Sequence, residues 1–237
     1  MKDMLKLDKV SVNYENKAAI KNLSLELQGD RVYALVGKSG SGKTTLAKAV
    51  AGILPYGGAI TLNGEKLDAQ KHRIALVPQN HGLIPWKTVA ENIALPLKER
   101  KVYDAAAFKT VAEELGISHL LKAWPNHISG GEQQRVAMAR GFLARPHVLI
   151  LDEAFSALDA ITKEEAHNTF LKVFDRHRVT TLLITHDVEE AIALGHTLVV
   201  LGDGEITKVF ANPCRGMDRD EDYSAFLALR RRIKEAL

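Results

Sequence analysis

Between the apolar run Tyr33–Val36 and a helical pattern beginning near Thr44 lies Gly37-Lys38-Ser39-Gly40-Ser41-Gly42-Lys43-Thr44. This spacing satisfies the P-loop pattern and calls for a strand, a tight loop and a helix in succession. The glycines let the backbone fold so that successive N–H groups point at one anion, and the helix adds the positive end of its dipole. Phosphate is the ligand such a device suits. Lys43 reaches the β- and γ-phosphates, and the Thr44 hydroxyl ligates Mg²⁺. The candidate nucleotide-binding set is Gly37, Ser39, Gly40, Ser41, Gly42, Lys43, Thr44 and Thr45. A Gly/Ser-rich loop with a chance lysine is the plain alternative, and the strand-then-helix context argues against it. The motif implies nucleotide binding and leaves the reaction open.

Short β-type runs alternate with helical patterns around this loop, as in an α/β sheet protein. Candidate strands are Leu5–Val12, Leu23–Leu27, Val32–Val36, Ala59–Leu62, Ile74–Val77, Val148–Leu151, Thr180–Ile184 and Thr197–Leu201. Candidate helices start at Gly42, near Thr88, near Asp104, at Ser129, at Thr162 and at Asp187. Gly57-Gly58, Gly64 and Gly202–Gly204 read as turns between antiparallel strands. The stretch 88–144 is mostly helical and reads as a subdomain inserted into a sheet core made of 1–87 and 145–212. The tail 213–237 opens with Asp218, Asp220, Glu221 and Asp222 and ends in an amphipathic helix. The whole chain, 1–237, is expected to form one domain.

Bulk properties exclude several classes. Nothing approaches the ~18 consecutive apolar residues of a membrane span. The first nine residues lack the apolar core of a signal peptide. The single Cys214 cannot form an internal disulfide, and no His/Cys spacing resembles a zinc site. The chain therefore reads as cytosolic. A net charge of +3 is too small to argue for nucleic acid. The one basic cluster, Arg230-Arg231-Arg232, reads as the solvated side of a terminal helix.

Val148-Leu149-Ile150-Leu151-Asp152-Glu153 is a continuous apolar run ending in two acids, as expected of a strand buried on both faces of a parallel sheet. Alone, the acids would be read as caps of the next helix. Ligands of open α/β sheets sit at the carboxyl ends of strands, so beside a phosphate loop the acids face the nucleotide. Asp152 is then a Mg²⁺ holder, and Glu153 the general base that orients and deprotonates the attacking water.

Ile128-Ser129-Gly130-Gly131-Glu132-Gln133-Gln134-Arg135 precedes a long helical pattern. Viewed alone it is an ordinary helix N-cap, or a second anion site built from a hydroxyl, bare N–H groups and a helix dipole. Placed ahead of the Asp152-Glu153 strand, it strongly resembles the signature of the ABC ATPase family, with Ile128 for the usual Leu and Glu132 for the usual Gln. The resemblance runs from about Lys6 to Phe210. It implies a P-loop NTPase core of the RecA-like kind, with an antiparallel β subdomain and an inserted helical one. It also implies a head-to-tail dimer in which Ser129, Gly130 and Gly131 of one copy touch the ATP held by the other.

By the same resemblance Tyr14 stacks on adenine, although a Tyr near a strand end can be merely structural. Gln79 contacts Mg²⁺ and the attacking water. Ser156-Ala157-Leu158-Asp159 crosses the dimer interface. His186 bonds the γ-phosphate and holds Glu153. Ala154 stands where the family commonly has Pro, which should alter local stiffness rather than chemistry. ATP and Mg²⁺ are the implied cofactors.

Leu83-Ile84-Pro85-Trp86 places a large aromatic and aliphatics in an expected loop, where hydrophobes tend to mark a docking surface. The alternative is that Trp86 packs the helical subdomain. In the family this region receives a membrane subunit. The wording Leu83 to Val89, with Leu158-Asp159-Ala160-Ile161-Thr162 later, resembles the nitrate/sulfonate/taurine importers. That likeness implies separate integral membrane permease subunits, a solute-binding protein acting indirectly, and a place on the cytoplasmic face of the inner membrane. The rival expectation is an ATPase of lipoprotein release, export or cell-envelope remodelling. An ATPase acting on DNA or ribosomes is disfavoured by the lack of a coiled-coil insertion or second ATPase unit.

Overall fold

The structure, a computed structural model, describes residues 4–14, 17–68, 71–99, 104–217 and 223–237. In chain order the first half carries β1 (Leu5–Tyr14), β2 (Lys17–Leu27), β3 (Val32–Val36), α1 (Lys43–Val50), β4 (Gly57–Leu62), β5 (Glu65–Lys66) and β6 (Ile74–Val77). Four helices follow: α2 (Val89–Ile93), α3 (Leu95–Glu99), α4 (Ala105–Glu114) and α5 (Gly130–Leu143). The remainder is β7 (Val148–Asp152), α6 (Ala160–His177), β8 (Thr180–Thr185), α7 (Val188–Leu194), β9 (Thr197–Gly202), β10 (Glu205–Ala211) and α8 (Tyr223–Ala236).

Two sheets form. β2-β1-β4-β5 is antiparallel, and β10-β9-β3-β8-β7-β6 is parallel except at its β10 edge. Successive side chains of a strand point to opposite faces. Thus Leu149 and Leu151 of β7 and Leu183 of β8 enter one core with α2, α4, α5, α6, α7 and α8. Val148, Ile150, Leu182 and Ile184 enter a second core with α1 and the antiparallel sheet. Burial on both faces explains why these strands read as unbroken apolar runs. Parallel register aligns the ends of β3, β8, β7 and β6, so the residues after each emerge along one edge.

Several boundaries differ from the sequence reading. β2 begins at Lys17 rather than Leu23, and its first half is paired to β1 although Ala18, Ala19 and Asn22 are weak strand formers. α6 begins at Ala160, not Thr162, because the Asp159 side chain caps it by accepting the Thr162 N–H at 3.1 Å. Gly57-Gly58 is no hairpin turn. It opens β4, and a Cβ on Gly58 would lie 2.3 Å from the Lys9 carbonyl, so glycine there permits close approach to β1.

Among its described residues the stretch 88–144 holds no strand, and its apolar residues Val89, Ile93, Val111 and Val136 share the core of Leu149 and Leu151. The acidic cluster Asp218, Asp220, Glu221 and Asp222 lies outside the described residues. α8 buries Phe226, Leu229 and Ile233. Its arginines lie on the solvated side, as the sequence suggests: Arg231 and Arg232 are exposed, while the half-buried Arg230 pairs with Glu189 at 3.1 Å and the Arg232 guanidinium lies 5.1 Å from the centre of the Phe210 ring. No helix among the described residues is long and apolar enough to cross a membrane.

Candidate functional site

The loop after β3 has its shape fixed by two glycines. Gly42 caps α1 at φ 102°, and a Cβ there would lie 2.5 Å from the Ala19 carbonyl oxygen. A Cβ on Gly37 would lie 2.4 Å from that of Leu201. Lys43 turns back across the loop, and its buried Nζ donates to the carbonyl oxygens of Gly37 at 2.7 Å and Lys38 at 2.9 Å. Burial lowers its pKa, against the opposing charges of Glu153 and Asp152. Among the described residues the buried Ser41 hydroxyl has no hydrogen-bond partner, so it is a polar group left for a ligand.

At the next strand ends, Thr44 Oγ1 donates to Asp152 Oδ1 at 3.1 Å. Burial raises the Asp152 pKa; the Thr44 hydrogen bond and nearby lysines oppose the shift, while Glu153 adds to it. A positive charge arriving beside Asp152 would relieve that burial cost. Glu153 adopts φ 48°, unusual for a residue with a side chain, and its N–H donates to the Ile184 carbonyl at 2.9 Å. Its Oε2 lies 3.3 Å from His186 Nδ1 and accepts from Gln79 Nε2 at 3.4 Å. Gln79 Nε2 also lies 3.4 Å from Ser156 Oγ, which donates to the Glu153 carbonyl at 2.8 Å. A carboxylate thus stands between an amide and an imidazole brought in from three strands. It can accept a proton from a water held there.

A cavity of about 690 Å³ joins these parts. Tyr14, Ala18, Ala19, Lys21, Ser39, Gly40, Gly42, Lys43, Thr44, Thr45, Gln79 and Glu153 line it, together with Asp203 and Gly204. Tyr14 is half-exposed at its rim. Nothing in the sequence singles out Ala18, Ala19 or Lys21 for this site, and Asp203 and Gly204 read only as a turn. The β9–β10 turn is stitched to the loop by Gly204 N–H to the Ser41 carbonyl (3.1 Å), and to β2 by Lys21 N–H to the Gly204 carbonyl (2.9 Å). Its Asp-Gly pair signals a turn, but nothing local says that the turn abuts the phosphate loop.

Ser129, Gly130, Gly131 and Asp159 do not line this cavity. Ser129 caps α5 and its hydroxyl donates to Glu132 Oε2 at 2.8 Å; Glu132 also accepts the Ser129 N–H at 2.7 Å. Those backbone and side-chain bonds hold the Glu132 carboxyl below its ordinary pKa. A Cβ on Gly131 would lie 2.7 Å from Thr162 Cγ2, so the starts of α5 and α6 are neighbours. Trp86 is 74% exposed and does not pack into the helices beside it.

The phosphate loop, the buried acid-ended strand and the parallel sheet define a P-loop NTPase. The ABC transporter family model matches residues 20–156. The aliphatic sulfonates import ATP-binding protein SsuB 1 of Burkholderia cenocepacia is 38% identical over 98% of this chain and 71% of its own length. SsuB of Delftia acidovorans is 35% identical over 96% of this chain and 91% of its own length. Among solved structures, the dimeric post-hydrolysis state of the ATP-binding cassette MJ0796 bound to ADP and Pi superposes with TM-score 0.76. It is 28% identical and covers 87% of this chain and 98% of that one. The chain belongs to the ABC transporter family, as the ATP-binding and ATP-hydrolysing subunit of an importer in the nitrate/sulfonate/taurine group. An export, lipoprotein-release or envelope-remodelling role is not favoured by these relatives.

Proposed function

We propose that two copies of this chain close head to tail on two ATP molecules and so drive import through separate permease subunits at the cytoplasmic face of the inner membrane. The observation that carries this reading is the separation of the two anion devices. Ser129, Gly130, Gly131 and Asp159 are not among the residues lining the cavity of Lys43 and Glu153, which supports their serving the nucleotide of a second copy. A second copy supplies what the first lacks, and the solved MJ0796 cassette is itself dimeric.

Within the cavity, Tyr14 stacks on the base. Gly37, Ser39, Gly40, Ser41, Gly42, Lys43, Thr44 and Thr45 hold the phosphates. The hard oxygens of Thr44, Asp152 and Gln79 suit Mg²⁺, and the burial cost on Asp152 favours a cation beside it. When bound, the ion neutralises charge on the β- and γ-phosphate oxygens. Glu153 takes the proton of the attacking water, His186 holds that carboxylate, and Gln79 reports whether a permease is docked.

The exposed Trp86, with Leu83, forms the surface where the permease docks. A solute-binding protein delivers the solute from the far side, and an aliphatic sulfonate fits the relatives' names. No nucleic acid takes part.

Size-exclusion chromatography of Glu153→Gln with and without MgATP, beside the same variant carrying Ser129→Arg, tests the assembly. The expected result is an ATP-dependent dimer that Ser129→Arg abolishes. An ATP-dependent dimer that survives Ser129→Arg overturns the head-to-tail arrangement, and substantial hydrolysis by Glu153→Gln overturns the role of Glu153.

A further inference from the structure

A partly buried ion network stands behind the Glu153–His186 pair, and none of its members lines the nucleotide cavity. Lys163, in the first turn of α6, places Nζ 2.6 Å from Asp187 Oδ2 and 3.1 Å from Glu190 Oε2. Asp187 directly follows His186. It receives three further restraints: its N–H donates to Thr185 Oγ1 at 2.9 Å, and its Oδ1 accepts the N–H groups of Glu189 at 2.8 Å and Glu190 at 3.3 Å. Glu190 is 2% exposed, and among the described residues its Oε1 has no hydrogen-bond partner, while Lys163 lies 3.1 Å from its Oε2.

One turn further along α6, His167 stands 3.6 Å from the same Glu190 carboxylate and packs edge-on against Phe155, ring centres 4.9 Å apart. Phe155 lies two residues after Glu153. The start of α6 therefore grips the chain immediately after His186 through Lys163, and the chain just after Glu153 through His167. The same helix is capped by Asp159, the residue expected to cross to the second copy.

A network serving only stability would be an expensive choice. Desolvating the Glu190 carboxylate is costly, and pairing it with Lys163 roughly breaks even against an apolar packing of the same volume. Burial alone would depress the Lys163 pKa, but the bond to Asp187 and the charge of Glu190 outweigh it and raise the value, so the ammonium is held firmly charged. What the arrangement supplies that an apolar contact does not is direction. The ammonium holds the Asp187 Oδ2 that the cap leaves over, next to the residue that presents His186 Nδ1 at 3.3 Å from Glu153.

We propose that Lys163 is a positioning residue for hydrolysis: it locks α6 to the His186–Asp187 turn, so that the position of Asp159 at the dimer face sets the His186–Glu153 geometry. This rests on the reading of Glu153 and His186 as the hydrolytic pair. The test is steady-state ATPase of the purified full chain for three variants, with thermal unfolding measured on each. Lys163→Met keeps the stem and removes the charge. Lys163→Met with Glu190→Gln removes the unpaired buried carboxylate as well. Lys163→Arg keeps the cation.

The expected result is a kcat lowered by about tenfold in the Met/Gln double variant, with KM for ATP within about twofold of the parent, the signature of a lost transition-state arrangement. Lys163→Arg recovers at least about half of the parent kcat. The double variant is the deciding one, because Lys163→Met alone strands two carboxylates and can lose stability for that reason. If the double variant is as stable as the parent and keeps its kcat, Lys163 only balances charge and the proposal is overturned. If the double variant's KM rises while kcat holds, the network serves binding, which also overturns it. Glu153→Gln, run alongside, separates the two ideas. Residual activity there removes the hydrolytic pair itself, whereas an inactive Glu153→Gln beside an active double variant removes only the positioning role.

Discussion

His196 offers a test of the packing that starts the phosphate loop's own strand. Its ring Nδ1 accepts the Val32 N–H at 3.0 Å while its backbone N–H donates to the Val32 carbonyl at 2.8 Å, so the first residue of β3 is clasped to the residue just before β9. Burial, aided by the charges of Arg215 and Arg31, pushes the imidazole pKa from 6.5 to about 4. Protonation would also cost the acceptor that Val32 uses. In the unfolded chain the ring takes its proton near pH 6.5, but in the folded chain it stays neutral down to about 4. The stability tied to this neutral ring is therefore full above pH 6.5 and is lost as pH falls toward 4.

At about 1.4 kcal/mol per pH unit, the loss between pH 7.5 and 4.5 is at most about 2.5 kcal/mol. His196 is only partly buried, so solvent screening reduces this to about half. Urea unfolding of the parent and of His196→Asn at both pH values measures it. Asn keeps an acceptor for Val32 but does not titrate, and it loses the ring contact with Phe174, 5.5 Å between centres. The variant should be the less stable at pH 7.5, by about 1 kcal/mol. Its deficit should shrink or reverse by pH 4.5. Taking the difference cancels the carboxylates, which titrate alike in both. Two parallel stability profiles would refute the reasoning.

Gly42→Ala should destabilise by more than about 2 kcal/mol, because it combines φ 102° with a Cβ 2.5 Å from a backbone oxygen. Gly64→Ala, at φ 85° but facing open space, should cost only about 1 kcal/mol, and chemical denaturation of the pair separates strain from collision. Trp86→Ala should leave stability within about 0.5 kcal/mol of the parent, since the side chain is 74% exposed. Co-purification with the membrane subunits should nevertheless fall sharply, and undiminished co-purification would remove Trp86 from the docking surface.

Much of this was legible because it is locally encoded. The strand before Asp152 announces itself as five apolar-to-acid residues, and the loop after β3 by glycines whose spacing only one conformation uses. Features set by tertiary contact were not legible. Gly204 reads as an ordinary turn glycine, yet its N–H closes onto Ser41, and a Cβ there would lie 2.7 Å from the Ala19 carbonyl. The early start of β2 comes from pairing with β1, which overrides the weak strand preference of its alanines. The Asp159 cap is masked in the sequence because the resemblance assigns the same residue to the dimer face. Both uses are compatible, since the cap employs one carboxylate oxygen of an exposed side chain.

The replacement of the usual Pro by Ala154 bears on how Glu153 is held. A residue with φ 48° costs about 1 kcal/mol or more and persists only where its surroundings over-determine it. Proline at the next position would restrict the chain covalently. Here the restraint comes from contacts instead: Glu153 N–H on Ile184, the Ser156 N–H and hydroxyl on the Glu153 carbonyl at 3.1 and 2.8 Å, and the fully buried Ala154 and Phe155. These contacts reach β8 and α6, the elements that carry His186 and Lys163. A restraint made of contacts can transmit a displacement between those elements, whereas a ring at position 154 acts only on its own backbone. The expected change in stiffness at this position therefore falls on the coupling between the dimer face and Glu153, and leaves the identity of the reacting groups unchanged.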